Sequence, residues 1–165
     1  MGFADIKEKV KEATGGVVIY EETFEKYYLP LIEFYIKDRE KRGVPTYIIG
    51  FQGCQGAGKT VLTTLIEIYL EHKGYKVKRC SIDDFYKTYA DRKKLAAAGN
   101  PFFRVRGLPG THRYEEMLEM FDSAEKGKDF EIPQFDKSLH DGQGDVLPEG
   151  IKVEGKQDFL IFEGW

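Results

Sequence analysis

Lys59 and Thr60 close a Gly-x-x-x-x-Gly-Lys-Thr loop that begins at Gly53. This combination suits a nucleoside triphosphate. The glycines let backbone N–H groups ring the phosphates, the lysine ammonium reaches the outer phosphates, and the threonine hydroxyl can ligate Mg²⁺. Gly53, Cys54, Gln55, Gly56, Ala57, Gly58, Lys59, Thr60 and Val61 are therefore the expected nucleotide-binding residues. An apolar, β-rich run over 46–51 leads into the loop and an amphipathic stretch leaves it. A glycine-rich surface turn with a stray lysine would not need that bracketing.

Three carboxylates sit where such a loop can use them. Asp83 and Asp84 follow a second apolar run, and Glu163 follows Leu160-Ile161-Phe162. Asp83 can orient a substrate hydroxyl and accept its proton during phosphoryl transfer, or hold Mg²⁺ through water. Asp84 equally suits a turn or a helix cap. Glu163, at a strand end, can help hold Mg²⁺ or position the attacking group. Lys59, Asp83 and Glu163 are thus the catalytic candidates, and Thr60, Asp83 and Glu163 the candidates around the metal. Two polar loops follow. Arg106 and His112 lie in an Arg/Gly/Pro-rich stretch over 104–113, where a guanidinium can grip a carboxylate or phosphate. Both equally suit ordinary loop roles. Lys137 and Asp145, in a loop that includes His140, either bind substrate or are surface charges.

The elements that must position these residues can be read from periodicity. Residues 4–13 are weakly helical, and 22–42 carry Phe24, Tyr27, Tyr28, Leu31, Ile32 and Tyr35 at helical spacing. That aromatic stripe reads as core packing, with Pro30 kinking the helix or starting a new one. Strands are expected over 46–51, 76–82 and 158–165. Helices are expected over 59–72, 88–98 and 113–126, and 130–150 reads as loop with one short strand. Alternating strands and helices predict an α/β fold of P-loop NTPase type, a mainly parallel sheet flanked by helices. Ligands in such sheets bind beyond the carboxyl ends of the strands, where the loop, Asp83-Asp84 and Glu163 all fall. The expected organisation is a helical extension over 1–45 and a kinase core over 46–165. Three parallel strands would leave bare edges, so the chain is expected to be truncated at its C-terminus.

Composition narrows the function classes. A chain of 165 residues with 32% charged residues and net charge −3 has no basic field to recruit nucleic acid or anionic lipid. No apolar run reaches membrane-spanning length, and Met1-Gly2 makes no myristoylation signal because Ile6 stands where Ser or Thr is required. Two cysteines suggest no disulfide framework and a reducing, cytoplasmic setting. The oligomeric state has no sequence signature here.

Taken in order, Gly53–Thr60, Ser81-Ile-Asp-Asp-Phe-Tyr86, Arg106-Gly-Leu-Pro-Gly-Thr-His112, Phe135-Asp-Lys-Ser138, Gly142-x-Gly-Asp145 and Phe162-Glu-Gly-Trp165 resemble the plant and fungal glycerate kinase family. These are P-loop kinases, relatives of uridine kinase, pantothenate kinase and phosphoribulokinase. The resemblance runs from about residue 24 to the end of the chain. It implies ATP and Mg²⁺ at Lys59 and Thr60, Asp83 as catalytic base, Tyr86 beside the substrate, and Glu163 as the acidic strand end. It further implies transfer of the ATP γ-phosphoryl to the 3-hydroxyl of D-glycerate. The carboxylate of such an acceptor needs a cation, and from the residues themselves Arg106 is the first choice, with His112 and Lys137 as further candidate substrate contacts. Family members continue past the Phe-Glu-Gly-Trp element through further strands, a lid and part of the adenine pocket. The competing readings are a kinase of another small acceptor, a non-catalytic ATP-binding protein, and a GTPase with Asp141-Gly142-Gln143-Gly144 as a switch element.

Overall fold

The computed structural model describes residues 2–164. Trp165, the last residue of the Phe-Glu-Gly-Trp element, and Met1 lie outside the described residues. The chain forms two compact units. One runs from the N-terminus through Cys80 and returns with Glu125–Gly127 and Lys156 onward; the other comprises Ser81–Ala124 and Lys128–Gly155.

The first unit is organised by three strands, β1 (Tyr47–Gln52), β2 (Val77–Ser81) and β7 (Phe159–Gly164), in the order β1-β7-β2. β1 and β7 run parallel, in register from Tyr47 opposite Phe159 to Gln52 opposite Gly164. Phe159, Leu160 and Ile161 are all completely buried, as expected of a strand covered on both faces. Helix α4 (Lys59–His72) packs on β1 and β7, burying Leu65, Ile66, Tyr69 and Leu70. This is the α/β arrangement the sequence predicts, with the strands within one or two residues of their expected ends.

The N-terminal helices belong to the same core. α1 (Phe3–Ala13) buries Ile6 and Val10 against α4. A single turn, α2 (Glu21–Thr23), runs into a π-helical turn over Phe24–Tyr28, and α3 (Leu29–Arg42) follows. Pro30 follows the π-helical turn directly, and the helical backbone runs through it unbroken, with Tyr28 and Leu29 both in the right-handed region. Phe24, Ile32, Tyr28 and Tyr35 pack into the core as expected. Tyr27 does not: it is 58% exposed. The wider π turn shifts the helical phase, which the regular spacing of the sequence does not reveal. Gly43, at φ 60°, adopts the left-handed conformation that ends α3.

Asp158 pins this unit at the start of β7. Its carboxylate pairs with Arg39 of α3 through Nη2 and accepts the Lys76 N–H at 2.9 Å, while its carbonyl accepts Arg39 Nε at 3.0 Å and Tyr47 N–H at 2.9 Å. One residue therefore joins α3 to the entrances of β1 and β2.

The second unit starts with a 3₁₀ turn over Ile82–Phe85, then α5 (Tyr89–Ala98), a second 3₁₀ turn (Pro101–Arg104) and α6 (Tyr114–Glu125). The stretch 130–150 was expected to hold one short strand. Instead β3 (Phe130–Ile132) pairs antiparallel with β6 (Ile151–Val153), and β4 (Phe135–Asp136) pairs with β5 (Asp145–Val146) nested inside. Strands of two or three residues are too short to show alternation, and their partners lie too far along the chain for a turn signal. Phe85 is completely buried, and Tyr86 stacks on His112 at 4.3 Å between ring centroids, their backbones joined by an antiparallel bridge. Burial pushes the His112 pKa below its usual value, with Lys87 acting in the same direction and Asp83 against it.

Two outcomes follow from this packing. Asp158→Ala should lower unfolding stability by about 2–3 kcal/mol, because it removes charge-assisted bonds to two elements at once; a urea titration with unchanged m reads this, and a midpoint equal to wild type would refute the pinning role. The depressed His112 pKa means the unfolded chain binds its proton more readily. Stability from this site is therefore complete above the ordinary histidine value of about 6.5 and is lost as pH falls below it. The melting temperature should drop between pH 7.5 and 5.5, and the drop should be smaller in His112→Phe.

Candidate functional site

In the first unit the loop after β1 has the backbone its glycines were expected to supply. Gly56 (φ 76°) and Gly58 (φ 83°) are left-handed, a conformation that a side chain would strain. Gly58 caps α4 without a side-chain hydrogen bond, so the first amides of the helix remain available to an anion. Lys59 Nζ donates to the carbonyls of Gly53 (2.6 Å) and Cys54 (2.9 Å), folding the ammonium across the loop. A cavity of about 490 Å³ opens beside it, lined by Gln52, Gly53, Ala57–Lys59 and Val61 together with Val17, Ile19 and Tyr28 of the N-terminal segment.

Glu163, at the end of β7, is 8% exposed. Its two carboxylate oxygens accept from two hydroxyls of α4: Thr60 Oγ1 to Oε1 at 3.1 Å and Thr63 Oγ1 to Oε2 at 3.1 Å. The structure thus brings Lys59, Thr60 and Glu163 together. Thr63 escaped the sequence reading; its only signal is a hydroxyl one turn on from Thr60. A hydroxyl and a carboxylate are hard oxygen donors that suit Mg²⁺. Among the described residues no group of three or more His, Cys, Asp or Glu side chains could hold a metal by itself.

In the second unit a second constellation forms. Asp83 Oδ2 accepts from Lys137 Nζ at 2.6 Å, an ion pair between residues far apart in sequence. Tyr86 lies between His112 and the Phe135 ring, with centroids 4.3 and 5.2 Å away. Asp83, Tyr86, His112 and Lys137 are thus held in one unit. Asp84 serves the backbone: its Oδ2 accepts the Ser81 N–H at 2.8 Å while Ser81 Oγ accepts the Asp83 N–H at 3.2 Å. Arg113 holds the same turn, donating to the carbonyls of Tyr86 (3.0 Å) and Asp84 (3.3 Å).

Arg106 also lies in the second unit, bonded to the 142–144 turn. Its Nη1 donates to the Gly142 carbonyl at 2.6 Å, and Arg92 of α5, which the sequence did not single out, donates Nη2 to the Gly144 carbonyl at 2.5 Å. Asp145 is likewise occupied by its own loop. Burial works against its charge, but the amides of Tyr89 and Val146 and the His140 ring outweigh it and hold its pKa below the usual carboxylate value. The Asp141–Gly144 element is a left-handed turn inside a hairpin, with Asp141 at φ 57° and Gly142 at φ 81°, and no strand of the sheet leads into it.

No protein-family model matches the chain. The uncharacterized kinase mug58 of Schizosaccharomyces pombe is 37% identical over 142 residues, 82% of this chain and 51% of that protein. The chloroplastic D-glycerate 3-kinase of Arabidopsis thaliana is 31% identical over 137 residues, 78% of this chain and 30% of that protein. Among solved structures, D-glycerate 3-kinase from Cryptococcus neoformans var. grubii superposes with a TM-score of 0.73 at 33% identity, covering 84% of this chain and 51% of that one. The chain spans about half the length of these relatives, or less. Their sequences and the loop geometry make the chain a homologue of D-glycerate 3-kinase and the mug58-type kinases, within the P-loop kinases.

Proposed function

We propose that this chain carries the ATP site and acceptor residues of a kinase that phosphorylates a hydroxyl of a small organic acid, D-glycerate in the first instance. The observation that carries the reading is the joint placement of Lys59, Thr60 and the buried Glu163 around a glycine loop whose helix amides remain open. D-glycerate enters from the names of two relatives. A cytoplasmic setting is part of the same reading and agrees with the low cysteine content. Among the described residues no helix is long and apolar enough to cross a membrane.

Phosphoryl transfer is mostly positioning and charge neutralisation. Lys59 releases the Gly53 and Cys54 carbonyls and turns its ammonium to the outer phosphates. The amides at the start of α4 hold the remaining phosphate oxygens. Thr60 and Glu163 would hold Mg²⁺, which when bound neutralises phosphate charge. On the acceptor side, Asp83 orients the hydroxyl and takes its proton as the oxygen–phosphorus bond forms and ADP departs. A carboxylate is too weak a base to remove an alcohol proton early, so it does so late in the transfer. Lys137 holds the Asp83 carboxylate in place and remains positive beside the incoming acid.

The second reading is a protein that binds ATP without transferring phosphate. ADP release from Mg-ATP separates the two. D-glycerate should stimulate release, whereas uridine and pantothenate should not. Lys59→Ala and Asp83→Asn should each lower the stimulated rate at least about 100-fold, with Asp83→Asn still binding ATP. Wild-type turnover in either variant would sink these roles. Mg-ATP binding with no release on any acceptor would favour the second reading.

A further inference from the structure

Arg92 is completely buried, the largest side chain among the described residues to be so. Its guanidinium lies over the Phe135 ring, 5.5 Å from the centroid, and Nη2 donates to the Gly144 carbonyl. Nε and Nη1 are also buried, and no group of the described residues accepts from them. A buried guanidinium that is only partly satisfied is costly, and buried donors are almost always partnered. Its surroundings do not supply the missing anion. Burial lowers its pKa, and Arg106 acts in the same direction, while the carboxylate that opposes them is Asp145. Asp145 is already shared among the Tyr89 and Val146 amides and the His140 ring.

The two arginines therefore converge on neutral partners, the carbonyls of Gly142 and Gly144. The loop that presents those carbonyls is held in an unfavourable backbone. His140 (φ 53°) and Asp141 (φ 57°) are consecutive non-glycine residues in the left-handed region, followed by Gly142 and then Gly144 at φ 76°. Non-glycine residues are rarely found there, and such strain persists where surrounding contacts impose it. Two cations held together by neutral oxygens on a strained loop form a site that an anion would relieve.

We propose that Arg92, with Arg106 beside it, is the carboxylate-binding site for the acceptor, and that the Gly142–Gly144 carbonyls stand where the carboxylate binds. The proposal rests on the small-acid part of the reading above and moves the main acceptor contact from Arg106 to a residue with no sequence signature. A carboxylate matches the fork of guanidinium donors and brings the negative charge that the Gly142 and Gly144 carbonyls lack. Displacing the carbonyls releases the left-handed turn, so the loop moves when the acid binds.

The test follows the Arg92 Nε–H resonance of the wild-type chain in ¹H–¹⁵N spectra, using D-glycerate, glycerol and inorganic phosphate as separate titrants. D-glycerate should move this resonance, with concurrent shifts at the Gly142 and Gly144 amides; glycerol, which lacks the carboxylate, should not. Arg92→Lys keeps the charge but loses the fork, and should weaken D-glycerate binding at least tenfold while keeping a dispersed amide spectrum. If that variant does not fold, the wild-type titration decides alone. An Nε–H resonance unmoved by saturating D-glycerate, an equal response to glycerol, or a response to phosphate only would each overturn the assignment. Mg-ATP binding is measured separately. Its absence would refute the kinase reading while leaving a D-glycerate response at Arg92 standing, and its presence with no such response would refute the carboxylate site alone.

Discussion

The loop between β1 and α4 depends on a carboxylate that is buried and must be satisfied from a neighbouring helix. Glu163 lies near the end of a strand in which Phe159, Leu160 and Ile161 are completely buried, and is itself only 8% exposed, so water cannot serve it freely. Two threonine hydroxyls from the first turns of α4 do so instead. An unpaired buried carboxylate would be costly, so the end of β7, the start of α4 and the loop that feeds α4 are held in one arrangement. Thr60 is thereby fixed next to Lys59, and the helix amides are fixed over the loop. The arrangement of the loop and the start of α4 thus follows from satisfying one acid.

The second unit solves the opposite problem. Its excess buried charge is positive, and backbone carbonyls satisfy part of it. Arg113 holds the turn that carries Asp83, using the carbonyls of Asp84 and Tyr86, and is itself paired with Glu116 at 2.6 Å. Arg92 and Arg106 hold the 142–144 turn in the same manner but without such a carboxylate of their own. The difference separates a structural arginine from one awaiting a ligand. Where the fold needed only a clamp, it placed an acid within reach of the guanidinium.

Legibility in the sequence followed interaction range. The phosphate loop, its strand and its helix were readable because the requirement is local: glycines for left-handed φ, a lysine and threonine at fixed offsets, and apolar runs on either side. Glu163 was readable from the apolar residues before it and Thr60 from the loop pattern, but Thr63, the second hydroxyl on Glu163, was not. The short strands over 130–150 and the exposed Tyr27 were missed for lack of periodicity, the former being too brief and the latter displaced by a π turn. Arg92 was invisible for a different reason. It sits in a helix among exposed charged residues, including Lys94 and Asp91, and only the Phe135 ring and the Gly144 carbonyl, both far along the chain, distinguish it from them.

A buried, partly satisfied guanidinium also bears on selectivity. A site that only attracts a carboxylate would bind acids better, yet would still admit neutral alcohols of similar size. With Arg92 enclosed, a neutral acceptor that moves the Gly142–Gly144 loop removes existing bonds and returns no charge. The guanidinium is then worse off than before, and the loss is larger than the absence of a gain. Discrimination against uridine-like or glycerol-like acceptors would thus come from the penalty of opening the loop. An acid repays that penalty because its charge is what the two arginines lack.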